Sequence, residues 1–147
     1  MTTRTEQILE HLTGTTTGGG ILGAAAGVGG RVHRDRAEAF AQQELPALAV
    51  FPQRDEPTTE FSTCRTRWVL TLRILVLISG NPVSRLADPI RASIHSLLMA
   101  EKTLGGLAMT VRPGPAQWEP DKGNDSPGVL DLTYQVEYLT DQDDLTL

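Results

Sequence analysis

Residues 67–78, RWVLTLRILVLI, carry large apolar side chains at alternate positions, and these form one unbroken face. That face consists of Trp68, Leu70, Leu72, Ile74, Val76 and Ile78. The opposite face begins as Arg67, Val69, Thr71 and Arg73 and becomes apolar at Leu75 and Leu77. Because successive side chains of a β-strand point to opposite sides, the pattern predicts a central strand, half exposed at one end and buried on both sides at the other.

Other strand patterns lie on either side of this segment. Residues 45–51 (LPALAVF) form an apolar run closed by Pro52, and shorter strands are predicted at 31–34 and 107–112. In residues 130–138, polar residues alternate with a second set of apolar residues: Leu130, Leu132, Tyr134, Val136 and Tyr138. This alternation predicts a half-buried strand.

Two helices are predicted from apolar residues at helical spacing. The first covers residues 3–13, with Thr2 or Thr3 as its cap, and carries Ile8, Leu9 and Leu12. The second begins at Asp88-Pro89, where aspartate caps the helix and proline occupies the first turn. Its apolar face is Ile90, Ile94, Leu97 and Leu98, and Gly105-Gly106 follows it.

The remaining segments are interpreted as loops. Residues 14–30 are rich in glycine and are expected to form a flexible loop, because ordering glycine is costly in backbone entropy. Residues 113–127 contain four prolines and are also expected to form a loop, and the acidic tail, residues 141–147, is expected to fray. The order of elements predicts one domain, residues 1–147, of the α+β class, with a mixed, mainly antiparallel β-sheet packed against two α-helices.

Composition narrows the classes of function. Thirteen lysines and arginines stand against eighteen aspartates and glutamates, a net charge of -5, which argues against a protein that coats nucleic acid. The longest aliphatic run, residues 74–78, is far shorter than the ~20 residues that span a bilayer. No apolar signal segment is found at residues 1–7, so folding in the cytosol is expected. The single cysteine, Cys64, excludes an intramolecular disulfide.

Motifs for catalysis, metals or cofactors are not recognised. Residues 23–30 (GAAAGVGG) suggest a phosphate-binding loop, but Arg31 and Val32 stand where that motif needs lysine and serine or threonine. The three histidines are scattered without metal-ligand spacing, and the chain has no nucleophile elbow. We therefore expect no catalytic residue, no metal and no cofactor, and interpret the protein as something other than an enzyme.

Arginine is strongly favoured over lysine, eleven to two. Arg31, Arg34 and Arg36 flank the first strand, whereas Arg65, Arg67 and Arg73 share one face of the long strand. Guanidinium groups pair with carboxylates in a planar fork and suit protein interfaces. A GC-rich genome would produce the same bias without any function, so both interpretations stay open.

Several of these segments, in this order, resemble the tail terminator proteins of long-tailed phages, the lambda-type minor tail protein U family. The resemblance covers residues 31–140 and is carried by ELPALAVF at 44–51, the strand through Trp68, the helix after Asp88, and DLTYQVEY at 131–138. The motif residues, expected to be mainly core, are Leu45, Pro46, Val50, Trp68, Leu132, Tyr134, Val136 and Tyr138. The glycine-rich segment and the proline-rich loop depart from the family pattern.

The resemblance implies a homo-hexameric ring that caps the tail tube, ends tube polymerisation and provides the head-docking surface. Its implied partners are copies of itself, the major tail tube protein and a head-completion or connector protein, while DNA passes through the lumen without specific binding and no membrane is involved. It places the protein at the head-proximal end of the tail in the virion, after assembly in the host cytoplasm.

Charge complementarity then suggests a set of subunit or tube contacts, because a closed ring joins unlike patches of neighbouring copies. The candidate interface residues are Arg31, Arg34, Arg36, Arg54, Asp55, Glu56, Arg65, Arg67 and Arg73. Two alternatives remain: a neck or head-completion protein of a tailed phage, and a small-ligand-binding domain that uses the glycine-rich loop.

Overall fold

A computed structural model describes residues 2–14, 20–36, 40–58, 64–123 and 127–147. These residues form helices α1 (Arg4–Thr13) and α2 (Val83–Ala100), and a five-stranded sheet. The strands are β1 (Val32–Arg34), β2 (Ala47–Pro57), β3 (Arg65–Ile78), β4 (Thr110–Glu119) and β5 (Gly128–Asp141). Short 3₁₀ turns lie at Leu22–Ala24, Gln42–Glu44 and Leu104–Gly106.

The sheet has the strand order β1-β2-β3-β5-β4. The β1–β2 pair is parallel and the other neighbours are antiparallel, so the sheet is mixed and mainly antiparallel, as the sequence predicts. Strand β3 is central: it pairs with β2 on one side and, over its whole length, with β5 on the other. The protein therefore has the α+β fold inferred from its order of elements.

Both helices pack on the sheet face formed by the alternating apolar residues of β3 and β5. In the register of these strands, Ile74 lies opposite Leu132 and Leu72 opposite Tyr134. Helix α1 contributes Ile8, Leu9 and Leu12 to this core, and α2 contributes Ile90, Ile94 and Leu98. Thr3 caps α1 by accepting a hydrogen bond from the backbone N–H of Glu6 at 3.2 Å, one of the two predicted caps.

The motif residues lie in or beside the core. Val50, Leu132, Tyr134, Val136 and Tyr138 are buried, as expected, whereas Leu45, Pro46 and Trp68 are half-buried. The Trp68 indole stacks on the Tyr138 ring at 6.4 Å between centroids and donates a hydrogen bond to Oγ1 of Thr140 at 3.0 Å. These residues stabilise the sheet.

The second sheet face is divided into an apolar and a polar half. In the apolar half, Phe40 packs with Ala47, Ala49 and Leu77 in a small second cluster. Beyond Arg73 the face becomes polar and carries no helix among the described residues. The sequence predicts this change along β3.

Helix α2 begins at Val83, six residues before Pro89, the first helical residue predicted, and Pro89 lies inside it. Val83 and Ala87 are buried in line with Ile90 and Ile94, so packing extends the helix towards its N-terminus. Because Pro89 is exposed, the hydrogen bond that it cannot make leaves a carbonyl group within reach of water. Tertiary packing outweighs the local Asp-Pro signal here.

The prediction that residues 113–127 are entirely loop is wrong for 113–119, which belong to β4. Among the described residues, strand β4 pairs with β5 alone, and its register shifts between Pro113 and Ala116. An edge strand tolerates proline because one side of its backbone needs no ladder partner. The edge position of β4 therefore explains why a proline-rich sequence is extended here.

The glycine-rich segment contributes to the core in its described part. Leu22 and Val28 are fully buried there, with Ala25 beside them. Gly20 has a φ of 58°, and a Cβ at this position would lie 2.7 Å from the backbone of α1. Residues 15–19 lie outside the described residues, and the flexibility of the whole segment stays a prediction.

The acidic tail is tied down rather than frayed. The backbone N–H of Arg4 donates to the Leu145 carbonyl at 2.7 Å, and the guanidiniums of Arg4 and Arg65 each donate to the Leu147 oxygen at 2.9 Å. The side-chain amide of Gln7 also donates to the Thr146 carbonyl at 3.2 Å. The tail thus has a fixed conformation against α1.

Candidate interaction surface

The polar half of the second sheet face is formed by β3, β5 and β4, at positions that alternate with the core residues. We call this surface the polar face; its charged members on these three strands are Arg67, Arg73, Arg112, Asp131 and Glu137. Uncharged polar groups come from Thr71, Thr133, Gln135 and Gln117. The two-residue period of the strands places all of these side chains on one side of the sheet.

Glu137 lies at the centre of a three-strand ion-pair network. Its Oε2 lies 2.7 Å from a guanidinium nitrogen of Arg67, and its Oε1 lies 2.7 Å from one of Arg112. The Glu137 side chain is 12% exposed, whereas that of Arg112 is 58% exposed. One nearly buried carboxylate thus holds two cations, and Arg112 faces solvent.

Arg73 and Asp131 form a second ion pair across β3 and β5, with 2.5 Å between a terminal guanidinium nitrogen and Oδ2. The hydrogen bond to Asp131 raises the pKa of Arg73 above its ordinary value, so this group is always charged. A shallow cleft of about 250 Å³ lies beside the pair and is lined by Gln53, Arg73, Pro115, Gln117, Asp131 and Thr133.

The predicted arginines around β1 hold local structure. Arg34 pairs with both carboxylate oxygens of Glu6, and Arg36 pairs with Glu44 at 2.8 Å and lies over the Phe40 ring. Arg31 donates to the carbonyls of Pro46 at 2.9 Å and Gly27 at 3.1 Å. The hydrogen bond from Arg34 lowers the pKa of Glu6, which keeps this pair ionised at neutral pH.

The other predicted residues lie away from the polar face or have partners of their own. Arg54 pairs with Glu56, and Arg65 lies 3.7 Å from Asp141. Asp55 accepts a hydrogen bond from the Tyr138 hydroxyl at 2.5 Å. Of the nine predicted interface residues, the structure therefore places Arg67 and Arg73 on the polar face, both already paired within the chain, while Arg54 and Glu56 border it on β2, opposite Thr71 and Val69.

Sequence reasoning missed a groove between α2 and the sheet edge, which we call the α2–β4 groove. It has a volume of about 430 Å³ and is lined by Asp88, Arg91, Ala92 and His95 from α2 and by Pro113, Gly114, Leu132 and Tyr134 from the sheet. Nδ1 of His95 lies 3.0 Å from the Tyr134 hydroxyl, and burial raises the pKa of that phenol. The groove could not be found while 113–119 were interpreted as loop.

Trp118 stands beside this groove on β4. The guanidinium carbon of Arg91 lies 5.4 Å from the centroid of its ring, and the side chain is 48% exposed. A cation over an indole face at this distance is attracted by the ring quadrupole. An alternating pattern in QWE at 117–119 was the one signal in the sequence that could have placed Trp118 on the helix side of a strand.

The described residues form neither a metal site nor a membrane-spanning helix. No group of three or more histidine, cysteine, aspartate or glutamate side chains in this part of the chain could hold a metal ion. Neither described helix has the length and apolar character needed to span a bilayer. The sequence matches no family model, and it has no match among curated proteins.

Proposed function

We propose that this protein is a phage tail terminator, a ring-forming structural subunit that caps the tail tube, ends its polymerisation and presents the surface on which the head docks. The proposal combines the sequence resemblance with one structural observation, the polar face. Half of one sheet face is free of helices among the described residues and presents charged side chains from three strands. Such a surface suits contact with another protein.

The charge balance of the polar face favours a protein partner over nucleic acid. Three guanidiniums lie among two carboxylates, so the two signs alternate over the surface. Phosphate binding needs cations that are free to replace counterions, whereas these cations are held by carboxylates. Mixed charge of this kind gives specificity and register in a protein contact. A chain of net charge -5 also suits a conduit through which DNA slides.

The edges of the sheet support a ring joined through unlike flanks. One edge is β1, three residues long and parallel to its neighbour, and the other is β4, ten residues long and interrupted by prolines. Because the two edges differ, a contact between copies would join one surface to a different surface of the next copy. Contacts of this heterologous kind form a closed ring when the rotation from one copy to the next returns to the start. Arg67 and Arg73 are already paired with Glu137 and Asp131. In the ring, these ion pairs would contact the Asp55–Glu56 segment of the next copy.

Electron microscopy of particles made with and without this protein tests the proposal. Without it, tail tubes should grow beyond their normal length and lack heads, and complementation should restore both properties. Tails of normal length joined to heads in its absence would contradict the proposal. Tails of normal length without heads would favour the alternative, a head-completion protein that binds the connector first.

A charge-reversed variant tests the polar face itself. Arg67→Glu combined with Arg73→Glu should abolish complementation, because the polar face would then present one cation among four carboxylates instead of three cations among two. Arg85→Glu is the matched control, since Arg85 is an exposed arginine on α2, away from this face. Thermal unfolding of each variant separates loss of contact from loss of fold. Full complementation by the folded double variant would rule out a role for the polar face.

A further inference from the structure

Arg91 differs from most arginines of this chain because it has no carboxylate partner among the residues that the structure describes. Seven other arginines form ion pairs with carboxylates: Arg34, Arg36, Arg54, Arg65, Arg67, Arg73 and Arg112. The half-buried Arg91 forms no hydrogen bond or ion pair with any described residue, and its guanidinium lies over Trp118 at the α2–β4 groove. A partly desolvated cation of this kind favours an anion supplied from outside.

Trp118 gives a second reason to expect a binding partner in the α2–β4 groove. Its large ring is about half exposed, and its indole N–H has no partner among the described residues. Tryptophan, arginine and tyrosine are the residue types most enriched at the energetic centres of protein interfaces. Here Trp118, Arg91 and the groove-lining Tyr134 lie in one region between α2 and the sheet edge. The groove is therefore suited to a segment that combines an acidic with an apolar side chain.

The acidic tail, residues 141–147, has that chemistry. Asp143 is exposed and forms no hydrogen bond or ion pair with any described residue, and Leu145 and Leu147 are 49% and 54% exposed. The backbone of the tail is already fixed by Arg4, Arg65 and Gln7. A segment held in one conformation before binding loses little entropy when it docks.

The tail cannot reach the groove of its own chain. Trp118 lies opposite Leu130, near the start of β5, whereas the tail follows Asp141 at the other end of that strand. The eleven residues between these points span roughly 35 Å at about 3.3 Å per residue. The tail is also tied to α1, so a tail that fills the groove belongs to another copy.

We propose that the acidic tail of one copy docks in the α2–β4 groove of the next, with Asp143 facing Arg91 and Leu145 packing on Trp118. The inference rests on the proposed ring-forming function and supplies one of its contacts. Groove and tail are unlike surfaces, so every copy offers one of each and association proceeds head to tail.

Mixing two variants of the full-length chain tests this contact. The groove variant carries Arg91→Glu and Trp118→Ala, and the tail variant carries Asp143→Lys and Leu145→Ser. By native mass spectrometry, each variant alone should be monomeric where the wild type forms closed oligomers. An equimolar mixture should give a one-to-one dimer, because it contains one working groove type and one working tail type. Arg85→Glu should assemble like the wild type.

A charge exchange distinguishes this pairing from general damage to the surface. Arg91→Asp together with Asp143→Arg in one chain should restore oligomers that either change alone abolishes, and thermal unfolding checks that each variant is folded. Oligomers of the groove variant, no dimer in the mixture, or no rescue by the exchange would each overturn the inference.

A wild type that stays monomeric up to about 1 mM would also overturn it, because the contact would then be weaker than about 4 kcal/mol. The proposed function survives all of these failures, since tail length and head attachment test it separately. A groove that binds an unrelated acidic peptide but not the synthetic peptide of residues 139–147 points to a different partner and overturns the inference too.

Discussion

The hydroxyl of Tyr138 donates a hydrogen bond to Oδ2 of Asp55 at 2.5 Å, joining the end of β5 to β2 across β3. Thr5 donates to the same carboxylate oxygen at 2.7 Å, so the first turn of α1 meets the sheet at this point. Burial, followed by the hydrogen bond to Asp55, raises the pKa of Tyr138 above its ordinary value. The group is therefore a neutral donor throughout the physiological range.

Tyr138→Phe should lower the free energy of unfolding by about 1–2 kcal/mol, because the Asp55 carboxylate loses a hydrogen-bond donor. The folded state favours the protonated phenol, so its contribution to stability is complete below about pH 10 and is lost at higher pH. Urea unfolding from pH 8 to 11 measures both effects. If the free energy of unfolding falls equally steeply above pH 10 in the wild type and in the variant, Tyr138 is not the source of that decrease.

The pair of Glu6 and Arg34 predicts an effect at acid pH. The pKa of Glu6 is lowered, chiefly by the hydrogen bond from Arg34, so its contribution is present above the unfolded pKa of about 4.3 and is lost as pH falls. Glu6→Gln should cost less than about 1 kcal/mol at pH 7, since the pair is partly exposed, and nothing near pH 2. Equal destabilisation at both pH values would mean that packing, not charge, is lost.

Within the polar face, Glu137 should matter more for stability than Arg112. Glu137→Ala leaves Arg67 and Arg112 without their shared carboxylate and should cost about 1–3 kcal/mol. Arg112→Ala should cost less than about 1 kcal/mol, because that side chain is largely exposed and its pair is screened by water. Chemical denaturation of both variants gives the order, and a larger loss for Arg112→Ala would refute the network as described.

Gly128 should not accept a side chain. A Cβ at this position would lie 2.2 Å from Cγ2 of Val83, so Gly128→Ala forces α2 away from the start of β5 and should cost about 1–3 kcal/mol. Val83→Ala removes the obstructing methyl group at its own cost. In the double variant the two losses should be less than additive, as a double-mutant cycle measures, whereas full additivity would exclude this contact as the cause.

The strands with regular alternation were predictable because their pattern is local. Both the polar and apolar halves of β3 and the half-buried character of β5 follow from two-residue periodicity. The start of α2 and the extended part of β4 were mispredicted for a shared reason. Pro89 and Pro113 are strong local signals, yet burial of Val83 and the edge position of β4 decide the outcome.

The partners of the arginines were not predictable, because they depend on the pairing register of distant strands. Arg67 meets Glu137 only because β3 and β5 pair with Arg67 opposite Leu139, a relationship that no pattern near either residue encodes. The exposed Trp118 beside Arg91 likewise requires β4 to be a strand. The sequence pattern predicts the charged face of β3. Only the folded chain shows that Arg91 has no carboxylate partner among the described residues.

The prolines of β4 have a consequence for growth of the sheet itself. Pro113 and Pro115 carry no backbone N–H. A further strand that approaches the free edge of β4 therefore finds too few hydrogen-bond donors to form a regular ladder. Exposed strand edges without such prolines can pair with strands of other molecules, and repeated pairing leads to fibres. The molecule can therefore be present at high concentration without being consumed by strand-by-strand stacking.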